Sequence, residues 1–458
     1  MIRKFIKSVL GRGKNPPSTG PLVFAKKQHG ISREAIHPCA LKVCEELQHH
    51  GYKAFVVGGA VRDLLLGGTP KDFDVATDAT PEETRRLFRR SRIIGRRFRI
   101  VHVMCGRDTI EVATFRAAGN LPGEDEEERD TDEHGRLLSD NVFGSLEEDA
   151  ARRDFSVNAL YYEPDKEEIW DYHGGVADSK KRILRMIGDP ETRYREDPVR
   201  MLRAARFAAK LEFKIDPATR APVAKLAPLL ENVPRSRLFD EALKLLLSGH
   251  ALRAVHQLRT EGLHHGMLPL LDTILDDPQG ERFISAALRS TDERIHADKP
   301  ASPGFLFASL LWPQVQRRWQ AIRDTGEKPI PALFAAMDEV LEAQRERLAI
   351  PRRFDGFIKE TWALQPRFEQ RSGQRPFRLM EHPRFRAGYD FLLIRAESGE
   401  VAAELGEWWT RFQEADADQR QAMLIADSGP KPRKRRRKRK PAGDQAAGDG
   451  PRIESSLA

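Results

Sequence analysis

Two aspartates one residue apart, Asp72 and Asp74 in Lys71-Asp-Phe-Asp-Val75, follow closely on a glycine pair in Val57-Gly58-Gly59-Ala60-Val61-Arg62-Asp63. Residues two apart on a strand face the same side, so this spacing aims both carboxylates into one space. Two anionic groups held that close repel unless a divalent cation lies between them. Mg²⁺ meets that need while keeping water and substrate phosphates as its other ligands. Gly58 and Gly59 remove side chains where a strand passes into a helix, which lets backbone N–H groups approach a phosphate. Arg62, early in that helix, adds a cation for a triphosphate. A lone Asp-x-Asp is ordinarily a surface turn, and Gly-Gly ordinarily just a turn. In the order strand, glycine turn, basic helix, strand with paired Asp, they describe a cradle for a metal ion and a triphosphate.

Two later segments carry more of the same chemistry. In Glu196-Asp197-Pro-Val-Arg200-Met-Leu-Arg203-Ala-Ala-Arg206-Phe207 the residues Asp197, Arg200 and Arg203 follow at steps of three, neighbours on a helix surface. An Asp held against an Arg fixes the guanidinium fork, which can then donate in a plane to the edge of a base; the plain alternative is a surface ion pair. Asp154, in Arg152-Arg153-Asp154-Phe155-Ser-Val-Asn158, follows two arginines that would keep it ionised. Glu111, in the apolar run Ile110-Glu-Val-Ala-Thr114, is either a buried acid that wants a cation or a charge on an exposed strand face.

Together these segments, from about Phe55 to Ile215, resemble the signature of the class II nucleotidyltransferases of the polymerase-beta superfamily, the family of tRNA CCA-adding enzymes and bacterial poly(A) polymerases. The resemblance implies a polymerase-beta-like head and nucleotidyl transfer with two Mg²⁺ ions held by Asp72 and Asp74, with Asp154 as the further active-site carboxylate and Glu111 left as an accessory or an exposed charge. It implies Gly58, Gly59, Arg62 and Arg153 as nucleotide-binding residues, and base selection by Asp197 and Arg200 with Arg203 beside them. Features outside the signature lean toward the poly(A) polymerase branch: more than fifty residues precede the glycine turn, and Ile31–Val43, Val142–Ala150 and Arg235–Gly249 are similar to poly(A) polymerase stretches. No His-Asp dipeptide marks the phosphohydrolase domain of some CCA-adding enzymes. ATP as substrate, RNA 3′ ends as acceptor and pyrophosphate as product follow from that branch, with a role in RNA decay alongside ribonucleases and a helicase. CCA addition to tRNA is the competing reading. A non-catalytic RNA-binding scaffold is a third, opposed by the intact set Asp72, Asp74, Asp154 and Arg200.

The elements that must position these residues are expected to form an α+β head followed by a long helical body. His37–His50 has helical spacing with Ala40, Leu41, Val43, Cys44 and Leu47 as its apolar positions. Ala54–Val57 and Lys71–Ala76 are strand candidates, and Val61–Leu66 a helix between them. Pro81–Arg90 is a helix opened by a Thr80/Glu83 capping box. Arg99–Met104 and Thr109–Phe115 flank Gly106-Arg107-Asp108 as a hairpin. From Val176 strand signals fade, and Ala218–Leu247 and Ala251–Met267 are expected as amphipathic helices. The expected divisions are a flexible leader 1–32, the catalytic head 33–177, a helical neck and body 178–300, a helical C-terminal region 301–426 and a disordered tail 427–458.

A length of 458 residues suits two to four such units, and 40% apolar residues suffice for their cores. The formal charge of +8 belongs to Lys431–Lys440 alone, since removing its nine basic residues leaves −1. Such a block attracts polyphosphate by counterion release, without sequence preference. The acidic stretch Gly123–Asp132 is its opposite, a solvated loop. Three cysteines with no CxxC pair leave an odd thiol, which argues against a disulfide scaffold and for a reducing, cytoplasmic setting. No apolar run approaches the ~20 residues of a membrane span. Trp362, Trp408 and Trp409 stand among arginines that include Arg352, Arg353, Arg367, Arg371, Arg384 and Arg386. Aromatics among cations can stack bases, yet for any single Trp a place in the core is the stronger expectation, and Arg352 and Arg353 are the better candidates for RNA contact. The histidines show no metal-ligand spacing.

Overall fold

The computed structural model describes residues 20–95, 99–117, 142–263, 278–347 and 350–426. The acidic stretch and the basic tail lie outside them. The head is built on one eight-stranded sheet of β1 (Leu22–Ala25), β2 (Ala54–Val57), β3 (Asp74–Thr77), β4 (Ser91–Ile94), β5 (Ile100–Cys105), β6 (Asp108–Thr114), β7 (Leu160–Glu163) and β8 (Glu168–Asp171). Its order is β1-β8-β7-β2-β3-β6-β5-β4, with every neighbour antiparallel except β3 and β6. β2, Ala-Phe-Val-Val, is buried on both faces, the usual state of a central strand. Its Phe55 and Val57 pack with Phe115, Leu146 and Tyr161 on one side. Ala54 and Val56 pack on the other side with Val75, Val112 and the helix Pro38–His49, which buries Ala40, Val43, Cys44 and Leu47.

Local signals translate directly. The Thr80 hydroxyl accepts from the Glu83 N–H at 3.3 Å and the Glu83 carboxylate accepts from the Thr80 N–H at 2.8 Å, closing the capping box of the helix Pro81–Leu87. β5 and β6 form the expected hairpin, with Gly106 at φ +68° in its turn. Three expectations are corrected. The leader is not flexible to residue 32, because Leu22–Ala25 pairs as an edge strand with β8. One disulfide exists, Cys39–Cys105, leaving Cys44 as the free, buried thiol. Ala218–Leu247 is not one helix but Pro217–Arg220, Val223–Leu226, a 3₁₀ segment Ala227–Asn232 and Arg235–Leu246. Pro222, Pro228 and Pro234 lack the N–H a continuous helix needs, and each restricts the residue before it.

Beyond the sheet, a two-residue parallel ladder joins Ile183–Leu184 to Lys214–Ile215, and the described residues there otherwise form helices and their connections. One large core runs from Phe155 through the helix Val199–Leu211 to Trp312 and Trp362. A second gathers Leu364, Phe368, Phe385, Trp408, Trp409 and Phe412. Among the described residues no helix is long and apolar enough to cross a membrane.

Candidate active site

β3 begins at Asp74, so Asp72 lies just before the strand and not on it. Exposure still alternates through Asp72, Phe73 and Asp74 as exposed, buried, exposed, which sets both carboxylates on the open side. In the parallel pairing of β3 with β6, Asp74 stands opposite Glu111. The Asp74 carboxyl is pushed up to about 6, first by partial burial and then by the Glu111 carboxylate, against the pull of Arg153. Glu111 has His102 Nε2 at 3.3 Å across the hairpin. Among the described residues no three His, Cys, Asp or Glu side chains converge closely enough to hold a metal ion as they stand. The donors at this edge are nonetheless all carboxylate oxygens, the ligands Mg²⁺ takes, and their mutual repulsion at Asp74 is what a divalent cation would relieve.

β2 passes into the helix Gly59–Leu65 through Gly58, whose φ of +75° and ψ of −126° suit glycine alone. The glycine pair also has an unexpected neighbour. A Cβ on Gly58 would stand 3.4 Å from Arg153 Nη1, and one on Gly59 would stand 3.4 Å from Arg62 Nη2. Both guanidiniums are held in place. Arg62 is buried, donating from Nε to Asp63 Oδ1 at 2.8 Å and from Nη1 to Asn158 Oδ1. Arg153 donates to Asp149 Oδ2 at 3.1 Å, to the Tyr161 hydroxyl at 2.9 Å and to the Asn158 carbonyl at 3.3 Å. Burial works against the Arg153 charge, but Tyr161 and Asp149 outweigh it and keep the group protonated.

Asp154 is fully engaged by protein donors: Arg203 Nε at 2.8 Å and Nη2 at 2.6 Å, Asn158 Nδ2 at 3.2 Å and the Phe155 N–H at 2.8 Å. Burial pushes its carboxyl up, yet the Arg203 charge and these hydrogen bonds hold it below the usual carboxylate range. By geometry, Glu111 rather than Asp154 is the carboxylate beside Asp74, and Asp154 is the anchor of Arg203. Asp197 departs from its expected pairing as well. It ends the helix Pro190–Glu196 in extended backbone, before the helix Val199–Leu211 begins, so helical spacing does not relate it to Arg200. Its carboxylate is gripped by Arg237 Nη2 at 3.1 and 2.9 Å, while Arg200 pairs with Glu196 at 2.9 Å.

One open cleft of about 540 Å³ takes in Gly58, Gly59, Arg62, Asp74, Arg153, Asp154, Asp197, Arg200 and Arg203, while Asp72 and Glu111 stand outside its lining. Relatives match most of the chain. Family models fit at residues 54–185 (Poly A polymerase head domain), 212–275 (Probable RNA and SrmB-binding site of polymerase A) and 325–441 (Polymerase A arginine-rich C-terminus). Poly(A) polymerase I of Escherichia coli O157:H7 is 47% identical over 440 residues, 92% of this chain and 93% of that one. Its Haemophilus influenzae counterpart is 45% identical over 408 residues, 88% and 90% of the two chains. The chain belongs to the poly(A) polymerase family. The CCA-adding enzyme of Bacillus licheniformis is more distant, 36% identical over 233 residues, 51% of this chain and 56% of its own. The crystal structure of the Bacillus stearothermophilus CCA-adding enzyme in complex with CTP shares the fold at a TM-score of 0.56 and 27% identity, covering 82% of each chain.

In this member of the poly(A) polymerase family, the cleft holds several residues that sequence reasoning passed over. Asn158, which touches both Arg62 and Asp154, sits four residues beyond Asp154 in a segment already singled out. Arg237 also lies in a stretch already singled out, Arg235–Gly249, but only folding brings its helix, Arg235–Leu246, to Asp197. The pair Arg206–Glu241, 2.7 Å apart and nearly buried, joins the helix Arg235–Leu246 to the helix Val199–Leu211. The tryptophans are core residues: Trp362, Trp408 and Trp409 are all buried, and their indole N–H groups donate to the backbone carbonyls of Ala308, Met423 and Phe368. None of them presents a face for a base. Arg352 and Arg353 are exposed, away from the cleft lining.

Proposed function

We propose that this chain is a template-independent poly(A) polymerase, transferring AMP from ATP to an RNA 3′-hydroxyl with release of pyrophosphate. One observation carries the chemistry: Asp74, with Glu111 opposite it in the sheet, lines one open cleft together with the fixed guanidiniums of Arg62, Arg153 and Arg203. The likeness to poly(A) polymerases along nearly the whole chain, against half of it for CCA-adding enzymes, supports ATP as substrate.

Asp72 and Asp74 would hold Mg²⁺, with Glu111 beside them. When bound, the metal supplies acidification of the attacking hydroxyl and neutralisation of charge on the departing pyrophosphate. Arg62 and Arg153, locked by Asp63, Asn158, Asp149 and Tyr161, place positive charge at the glycine turn where the triphosphate would lie, so little reorganisation is needed as charge develops. Asp154 orients Arg203 and Arg237 orients Asp197, leaving the far wall of the cleft to grip the base. Exposed Arg352 and Arg353 would meet RNA phosphates outside the cleft. A decay role carries ribonucleases and a helicase as partners, in the cytoplasm.

The test is incubation of the pure protein with labelled RNA and each nucleoside triphosphate separately. Long tails from ATP alone are expected. Addition of C to a tRNA lacking its terminus would replace this reading with CCA addition, and no pyrophosphate release with any nucleotide would leave only a scaffold.

A further inference from the structure

A second group of reactive side chains lies at the same edge of the sheet, outside the cleft. Cys39 is the second residue of the twelve-residue helix Pro38–His49, Cys105 ends β5, and the two are joined with their Cα atoms 6.1 Å apart. That spacing lies within the range a disulfide bridges without backbone movement. Both are half-buried, whereas Cys44 is fully buried and burial pushes its thiol up.

The bond holds the segment that carries Asp72. His37, which accepts the Cys39 N–H at its Nδ1, 3.3 Å away, packs its ring against Phe73 with centroids 6.0 Å apart. Its Nε2 lies 3.7 Å from Asp108 Oδ2. Phe73 is the buried residue between Asp72 and Asp74, and Asp108 pairs with Cys105 at the turn that leads into Glu111. The bond therefore ties the helix start that braces Phe73 to the hairpin tip that feeds the third carboxylate.

We propose that Cys39 and Cys105 form a reversible thiol–disulfide site at which exchange with a low-molecular-weight disulfide steadies the Asp72 loop and raises the rate of nucleotide transfer. Cys39 thiolate attacks one sulfur of oxidised glutathione, releasing one glutathione and leaving a mixed disulfide. Cys105 thiolate then attacks the Cys39 sulfur and expels the second glutathione. Two protein thiols are oxidised, two glutathione thiols are formed and take up the two protons, and excess glutathione reverses both steps. A labile pair of this kind suits a reducing setting, where disulfides serve sensing more than scaffolding. The effect on rate rests on the role given above to Asp72 and Asp74; the bond and the steadied loop do not.

The full-length protein is equilibrated in defined ratios of reduced to oxidised glutathione, alkylated and digested. Peptide masses report the bond, and amide hydrogen exchange over 71–76 reports the loop. The Cys39–Cys105 link should form and disappear reversibly with Cys44 left as a thiol, exchange in the loop should slow on oxidation, and the thermal midpoint should rise by about 5 °C. AMP incorporation at limiting ATP should be severalfold faster in the oxidised protein. Cys39→Ser and Cys105→Ser proteins should stay active at the rate of the reduced wild type, whatever the glutathione ratio. The proposal is overturned if no link forms at any ratio, if Cys44 takes part, if a formed link leaves loop exchange unchanged, or if oxidised and reduced proteins transfer AMP equally fast. A protein that transfers no nucleotide in either state would fail the polymerase reading instead, while link and loop exchange still judge the site.

Discussion

The cleft and the C-terminal helices from Ile358 to Met423 use the same residue types, arginines and aromatics, in opposite ways. In the C-terminal helices the aromatics are inside and most arginines outside, Arg395 being an exception, buried and paired with Glu400 at 2.6 Å. Trp408, Trp409 and Phe412 pack on one another with ring centroids 4.5 to 5.6 Å apart, while Arg371, Arg384 and Arg386 form surface pairs with Glu404, Glu360 and Asp390. In the cleft the charges are inside. Arg62, Arg203 and Arg206 surround the single ring of Phe207 at 5.5, 5.6 and 4.4 Å, and Asp154–Arg203 and Asp197–Arg237 join residues 49 and 40 positions apart. Exposed pairs contribute little to stability, whereas a sequestered charge persists only where a partner meets it. What sets the cleft arginines apart is their place beside the glycine turn and Asp74, since Arg395 shows that burial with a partner occurs outside the cleft too, and an aromatic neighbour marks nothing.

The largest effect should separate the two regions completely. Asp74→Asn or Asp72→Asn is expected to reduce AMP incorporation by at least about 10³-fold without lowering the thermal midpoint. Glu111→Gln should cost only about tenfold if that carboxylate assists from beside the metal; a loss equal to that of Asp74→Asn would make it a full ligand. In the other region, Trp409→Ala should destabilise the protein by about 3–5 kcal/mol in a denaturant titration, leaving the KM for ATP of the folded fraction unaltered. A changed KM would mean that the C-terminal aromatics do reach the substrate. Arg237→Ala should then lower the kcat/KM preference for ATP over CTP by about tenfold, roughly 1.4 kcal/mol, because Asp197 loses its anchor.

The smallest effect concerns protons at the carboxylate edge. With its carboxyl pushed up to about 6, Asp74 is mostly protonated at pH 5 and mostly ionised at pH 7.5. A raised carboxyl favours the folded state while protonated, so without metal its contribution is lost as pH climbs through about 6. Mg²⁺ binds the ionised form. Added Mg²⁺ should therefore raise the thermal midpoint by about 2–4 °C at pH 7.5 and hardly at all at pH 5. Equal shifts at both values would place the ion elsewhere.

What was legible in the sequence is what short-range geometry encodes. Apolar spacing marks the buried side of Pro38–His49, Thr80 and Glu83 mark a helix start, and alternation around Phe73 predicts the side taken by Asp72 and Asp74. The rest depends on contacts between distant segments. Nothing local says that β6 lies parallel to β3 and so brings Glu111 opposite Asp74, that Arg237 and not Arg200 takes Asp197, or that Cys39 finds Cys105. The broken helix after Asp216 is a different kind of miss, because its three prolines were in plain view.

β1 supplies four residues and no side chain to the cleft, yet it covers the outer hydrogen-bonding row of β8. At the end of β8, Asp171 in turn receives the N–H groups of Gly175 and Val176 at 3.0 and 2.9 Å. A chain trimmed to start near the glycine turn would keep every cleft residue and still present a bare strand edge to its neighbours. Such a fragment is expected to self-associate through that edge.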